Sequence, residues 1–586
     1  MNDIRRTILW VIFGFSLVLL WDQWQVYNGH KPTFFPSAHV ATKAGEPVSA
    51  AGGSAVAPAA GSSAQQASAV PPGPATQVTG AQVPGAQSGE AKGEAASAPA
   101  GPTHQQVVVS TDVLRLTFDS EGGSLVRAAL LKVPDEADKT QPFVLLQDDA
   151  QTVYVAQSGL IGAAGGATFP THKTAMTLLP GARTLESGSD TLTVRFESPD
   201  LGGVKLVKAY TLKRGSYALG VKFDVVNTGT APVSPELYMQ LVRDGKPAGA
   251  TRFYSTFTGP AVYTDEKKYQ KIDFKKIDEN KVDIQQESSS GYVAMVQHYF
   301  ASAWLLASGV QRHLFVRKVG GDLYAVGMIT PLGPIAPGAS RTLDARLFAG
   351  PEEEQMLDSL APGLDLVKDY GWFTIIAKPL YWLLFNIHRF LGNWGWSIVA
   401  LVVLLKIAFY WLNAKAYASM AKMKAVTPRI TAMRERLKDK PQEMQQEMMK
   451  IYREEKVNPM GGCLPMVVQI PVFIALYWVL LSSVEMRGAP WILWIHDLAR
   501  PDPFYILPLV MACTSLLQTA LNPVPPDPMQ AKMMWLMPLA FSVMFFFFPA
   551  GLVIYYITNN LLSILQQWII NTRMGVPPQF HLPKFR

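Results

Sequence analysis

The sequence predicts a polytopic α-helical membrane protein with six transmembrane helices, both termini in the cytoplasm, and a large antiparallel β-sandwich on the outer side of the membrane. Three observations carry that prediction. Only 17% of the 586 residues are charged and 49% are hydrophobic, against roughly 25% charged in an average soluble domain. The stretch from about 105 to 350 alternates apolar and polar residues at period two, and the part after 391 is built of long apolar runs. The net charge of +7 is modest, so its distribution says more than its sum.

The chain opens MNDIRRTILWVIFGFSLVLLWDQWQVY. Arg5 and Arg6 precede an uncharged, mostly apolar run from Thr7 to Trp21. Where a cleavage site needs small residues, bulky Trp21, Trp24 and Tyr27 follow, so residues 1–27 read as an uncleaved signal-anchor helix with its arginines inside. Residues 28–104 are rich in Ala, Gly, Ser and Pro, as in AAGGSAVAPAAGSSAQQ. Such a composition cannot bury enough apolar surface to offset chain entropy, and it predicts a flexible tether.

Residues 105–350 carry the sandwich. Tyr217, Leu219, Val221, Phe223 and Val225 share one face at period two, as do Leu114, Leu116 and Phe118, and Leu192, Val194 and Phe196. Arg214-Gly215-Ser216 lies between two such runs and signals a hairpin. The segment contains no Gly-rich phosphate loop, HExxH or GxSxG, and His172, His298 and His313 lack ligand spacing. A structural or docking role is expected, with a cleft that binds peptide or sugar as the alternative. Cys463 and Cys513, the two cysteines, both sit in apolar segments, so neither a disulfide framework nor a metal site is expected.

Residues 363–390 include DLVKDYGWFTIIAKPLYWLLFNIHRF, apolar but interrupted by Lys378 and Pro379, which suits an amphipathic helix in the interface. Charge decides between that and a span. The loop 413–462 contains eleven Lys or Arg, which marks the cytoplasmic side. With an N-in anchor, one span (Asn393 to Leu412) must precede it. Cys463–Val484, Pro503–Leu521, Met533–Phe548 and Gly551–Ile570 follow as four further spans, several near the lower length limit of about 17 residues, and the tail 576–586 returns to the cytoplasm.

Lys406 stands inside ALVVLLKIAFYW. A charge in a span costs about 2.5 to 3.5 kcal/mol on insertion scales and marks a functional site by default; the alternative is a stem that snorkels to the headgroups. No carboxylate lies within the last five spans, so Lys406 needs a wet cavity or the cytoplasmic edge. Gln469, Thr514, Ser515, Gln518, Thr558, Asn559, Asn560, Ser563, Gln566 and Gln567 also fall in spans and need partners or water, which bonds between helices equally provide. In the loop, Thr427-Pro428 reads as a helix start, with Ile430, Met433 and Leu437 on one face. A break at Lys440-Pro441 precedes a second helix bearing Met444, Met448, Ile451 and Tyr452. This hairpin's methionines, Met420, Met423, Met433, Met444, Met448 and Met449, suit an adaptable binding surface or simple helix packing.

NPMGGCLPMVVQIPVFIALYWVL, APWILWIHDLARPDPFYILP and FPAGLVIYYITNNLLSILQQ resemble the membrane core of the YidC membrane protein insertases of Gram-negative bacteria, over about Gly363 to Gly575. The resemblance implies a five-helix insertase core (391–575, including the hairpin) that encloses a hydrophilic groove open to cytoplasm and lipid, and a periplasmic sandwich. It implies insertion and folding of nascent inner-membrane proteins, alone or with the Sec translocon, with the translating ribosome and membrane lipids as partners, no DNA, no cofactor, no metal and no catalysis. It maps a groove cation onto Lys406, where the family usually has arginine; the charge is kept and the bidentate fork lost. Groove amides map onto Gln469 and Gln518 and a substrate-contacting tyrosine onto Tyr556; Asn560 joins them as a groove candidate, and the hairpin methionines as a recruitment surface. Two other classes stay open from the residues: a small-solute transporter, which would show inverted repeats, and a sugar-modifying enzyme built on the sandwich.

Overall fold

The computed structural model describes residues 105–136, 138–162, 168–247, 256–437, 440–455, 464–522, 528–575 and 580. The signal anchor expected over 1–27, the tether over 28–104, Cys463 and all of the tail 576–586 except Phe580 lie outside the described residues. The chain divides into two compact units, with the division at Lys368/Asp369 among the described residues.

The first unit is a β-sandwich of two nine-stranded sheets. One runs in spatial order Gln106–Ser110, Leu114–Asp119, Ser124–Pro134, Pro142–Asp148, Val153–Ile161, Glu236–Asp244, Leu323–Pro331, Arg312–Gly320, Glu287–Ser288. The other runs Lys268–Lys271, Gly259–Thr264, Tyr292–Gln297, Phe300–Leu306, Ser340–Pro351, Ala218–Asn227, Val204–Lys213, Thr191–Glu197, Thr177–Leu178. The strand pairings are antiparallel, for example Val204 opposite Asn227 through Thr211 opposite Gly220. The turn between those two strands uses Gly215 at φ +68°, a left-handed conformation that glycine adopts without steric cost.

Every apolar residue of the three alternating faces named above is buried, Leu116, Phe118, Phe196, Phe223 and Val225 completely. Each such side chain contributes roughly 1.5 to 3 kcal/mol, and Phe118 packs against Tyr210 with ring centroids 4.7 Å apart. Within this core lies one ammonium. Lys208 is fully buried and donates to Gly122 O (2.7 Å), Ser158 O (2.7 Å) and Ser158 Oγ (2.8 Å).

The second unit is helical: α1 (Thr374–Leu391), α2 (Trp394–Ala408), α3 (Tyr410–Arg436), α4 (Pro441–Glu454), α5 (Leu464–Ser482), α6 (Ile506–Leu521), α7 (Pro528–Met544) and α8 (Ala550–Arg573). Helix α1 buries Ala377, Leu380, Tyr381 and Leu384 and leaves Ile375, Trp382 and Phe390 exposed. Its buried stripe packs with Ile398, Leu401, Leu476, Val479, Leu480, Leu552 and Val553 in one apolar core. Among the described residues no single helix is long and apolar enough to cross a membrane, and the bent pair Trp394–Ala408 with Tyr410–Met420 is, by length and composition.

Two expectations are corrected. The run Asn393–Leu412 is not one straight span: the chain leaves the helix at Phe409 (φ −92°, ψ 12°) and α3 sets off at 68° to α2. No Gly or Pro marks this break; it arises because α2 packs on α1 and α8, whereas α3 also packs on α4. Nor does a helix begin at Thr427-Pro428. Helix α3 runs through Pro428 to Arg436. The preceding KAYASMAKMKAV is rich in Ala, Lys and Met, strong helix formers, so the helix is already established there. The proline's cost of about 3 kcal/mol is offset by Val426, Ile430 and Met433 burying against Ile451 of α4.

Candidate functional site

The N-terminal ends of α2 and α8 meet a folded loop, 483–505. Asn393 caps α2, accepting from Trp396 N at 3.1 Å. Gly395 lies against Trp491 so tightly that a Cβ there would stand 2.2 Å from its ring. The first amides of α8 are satisfied by the loop, Ala550 N by Arg500 O (2.7 Å) and Gly551 N by Leu498 O (3.0 Å). Asp502, buried, accepts from Leu507 N (2.7 Å), Phe504 N (3.0 Å) and Trp494 Nε1 (3.0 Å), which fixes the start of α6. Beyond this end the space between α2, α5 and α8 is filled by the apolar core already described.

Further along, that filling stops. A pocket opens, lined by Val402, Leu405, Lys406, Phe409, Leu412, Asn413, Gln469, Val472, Tyr555 and Asn559. Lys406 belongs to the last turn of α2, where unpaired helix carbonyls concentrate partial negative charge that favours a cation. The bend at Phe409 keeps that helix end beside the pocket. The Lys406 ammonium donates to Ser563 Oγ at 2.7 Å, and Ser563 in turn donates to Asn559 O at 2.7 Å. Tyr555 is paired with Gln469 across the pocket. The described residues give Lys406 no carboxylate partner.

Of the five groove candidates read from sequence, Lys406 and Gln469 line this pocket. Asn560 does not: it is buried toward α6, donating to Thr514 Oγ1 (3.2 Å) and Ser515 Oγ (2.9 Å). Gln518 is half-buried on α6, outside the pocket lining. Tyr556 stands in an aromatic cluster, 4.7 Å from the Phe473 ring and 4.5 Å from that of Phe545. Its neighbour Tyr555 is the tyrosine of the pocket. Asn413 was read only as the start of the loop, and Ser563 and Asn559 only as polar residues of a span. The signal that finds Tyr555, Asn559 and Ser563 together is their spacing of four, which puts them on one face of α8.

The hairpin methionines divide. Met433 is buried and Met423, Met444 and Met448 pack around the α3/α4 contact with Val426, Ile430 and Ile451; Met420 is half-buried outside that cluster and Met449 is exposed. Among the described residues, no group of three or more His, Cys, Asp or Glu is placed to hold a metal ion.

A β-sandwich in one chain with a bundle of short apolar helices, whose largely apolar pocket holds one cation, defines a two-part protein of membrane type. The comparisons agree. Residues 106–383 match the YidC periplasmic domain and residues 386–576 the 60Kd inner membrane protein family. The membrane protein insertase YidC of Cupriavidus necator is 55% identical over 573 residues, covering 98% of each chain; that of Cupriavidus metallidurans is 54% identical over 574 residues, again 98% of each. A crystal structure of an active YidC insertase with its first transmembrane domain resolved aligns at TM-score 0.36 and 18% identity, over 78% of this chain and 91% of that one, and adds no weight. This chain belongs to the YidC family of membrane protein insertases. It is an inner-membrane protein with a periplasmic antiparallel β-sandwich and a C-terminal helical region, and it acts on inner-membrane proteins.

Proposed function

We propose that the chain inserts and helps fold its clients through the pocket at Lys406, working without nucleotide hydrolysis. Six spans would place both termini and the α3/α4 hairpin in the cytoplasm, and the sandwich in the periplasm. The observation that carries this reading is a half-buried ammonium held by a hydroxyl at a helix C-terminus, with no carboxylate among the described residues to neutralise it. Its charge is available to a client. The acidic or polar part of a nascent segment enters the pocket and is attracted by Lys406, while Gln469, Asn413 and Asn559 hold water around it. The apolar part moves sideways into lipid. Removing apolar surface from water contributes roughly 25 cal/mol per Å², which over about 20 residues exceeds the cost of passing a short polar tail.

The apolar filling toward the 483–505 loop supports a one-sided groove and speaks against a continuous solute path. In the same reading the hairpin receives the translating ribosome, its basic side chains meet phosphates of ribosomal RNA or lipid headgroups, and some clients arrive from the Sec translocon. Lys406→Glu in vesicles reconstituted with the full chain tests the pocket. Insertion of a single-span client with an acidic tail is expected to be lost; insertion at the unaltered rate overturns the proposal.

A further inference from the structure

The lysine at 406 has a problem that its surroundings solve. Its four-carbon stem and three rotatable donors give it many conformations, including one that extends to the headgroups and leaves the pocket uncharged. One side chain holds it back. Ser563 is almost fully buried on α8, and its single hydroxyl proton is already committed to Asn559 O at 2.7 Å. With the proton fixed there, what the hydroxyl presents is two lone pairs, one paired with Tyr417 and the other taken by the Lys406 ammonium, which donates at 2.7 Å. An ammonium has three N–H groups. Ser563 takes one, which leaves two for the pocket.

We infer that Ser563 is the positioning residue of the groove: it fixes the Lys406 ammonium against α8, so that the charge faces the pocket and is not drawn to the membrane edge. The inference rests on the role proposed for Lys406 and adds its cause. It also explains how a lysine serves without the planar, bidentate fork of a guanidinium, since the orientation comes from a committed acceptor on the facing helix. Backbone placement supplies that acceptor: Asn559 and Ser563 stand one turn apart on α8, so the bond that fixes the hydroxyl is local and independent of lysine.

The test uses the full chain in sealed vesicles and two clients that differ only in having an acidic or an uncharged translocated tail. The readout is the ratio of their insertion rates. Ser563→Ala is expected to lower the acidic-to-uncharged ratio roughly five-fold, the size of one net hydrogen bond, and Ser563→Thr to restore it. A purely structural role would lower both clients together and leave the ratio unchanged, which overturns the inference. Lys406→Met separates the two layers. If it collapses the ratio while Ser563→Ala leaves it intact, Ser563 does not position the lysine; if Lys406→Met itself leaves the ratio intact, the charge reading falls and this inference with it.

Discussion

Lys208 is fully buried and Lys406 half-buried, and among the described residues neither is paired with a carboxylate; comparing them shows what each is for. Lys208 meets three acceptors within 2.8 Å, as many as an ammonium has protons, so nothing is left for a ligand and its role is to tie Gly122 and Ser158 into the sandwich core. Burial without a counter-ion pushes its pKa down to about 7, against which the three acceptors pull. The sign follows from proton counting. Between about pH 7 and 10.5 the unfolded chain holds the proton more tightly than the native domain, so native stability rises with pH through that window, and below it the full cost of burying the charge is present. Sandwich stability, followed by near-UV circular dichroism of the full chain, is expected to gain up to about 3 kcal/mol between pH 7 and 9.5 relative to Lys208→Met; parallel pH profiles in the two proteins would remove this account. Lys208 drew no notice in the sequence although it shares the buried phase of its strand with Val204, Leu206, Tyr210 and Leu212, because lysine in a strand is ordinarily solvent-facing. Lys406 was conspicuous because its neighbours are apolar on both sides.

For whole elements, legibility followed the length of the pattern. The sandwich strands were readable since a strand buried on one face writes its burial directly into period two, and the hairpin was readable from Ile430, Met433 and Leu437 opposite Met444, Met448 and Ile451. The bend at Phe409 was not, because tertiary packing produces it and no local residue does. Pro428 misled for the opposite reason: a strong local signal was overruled by the helix on either side of it. Tyr555 and Tyr556 show the limit within a helix, where one residue turns a side chain by about 100° from pocket to aromatic cluster. What holds the hairpin together is apolar. Arg429 pairs with Glu454 and Glu455 at 2.9 Å each, but all three are well exposed, and such pairs contribute about 0 to 1 kcal/mol. Ile430 is 1% exposed in the α3/α4 cluster, and truncating such a residue costs about 2 to 5 kcal/mol. Ile430→Ala is therefore expected to open the hairpin to protease added on the cytoplasmic side, and Arg429→Ala to leave the cleavage rate within about two-fold; faster cleavage of Arg429→Ala with Ile430→Ala still protected would shift the hairpin's stability to the charges.

Across the whole helical unit the proposed mechanism makes a demand on sidedness. Lys406 lies twelve residues beyond Trp394 along α2, about 18 Å at helical rise, with the buried apolar core between its pocket and the 483–505 loop. The eleven Lys and Arg of 413–462 favour the cytoplasm for the end nearer Lys406, which leaves the loop facing the periplasm. A groove that admits clients from the cytoplasm must then be wet at position 406 and sealed toward position 496. In a chain whose Cys463 and Cys513 are replaced by serine, Lys406→Cys is expected to react rapidly with a membrane-impermeant thiol reagent applied from the cytoplasmic side and to be protected from the periplasmic side. His496→Cys, at an exposed loop position, is expected to show the reverse. Labelling of position 406 from both sides would mean a water path through the bundle and favour a channel. Protection from both would mean that the lysine's place is packed or lipid-facing, and the site of client entry would have to be sought on the hairpin, where exposed Met449 and half-buried Met420 remain outside the α3/α4 contact.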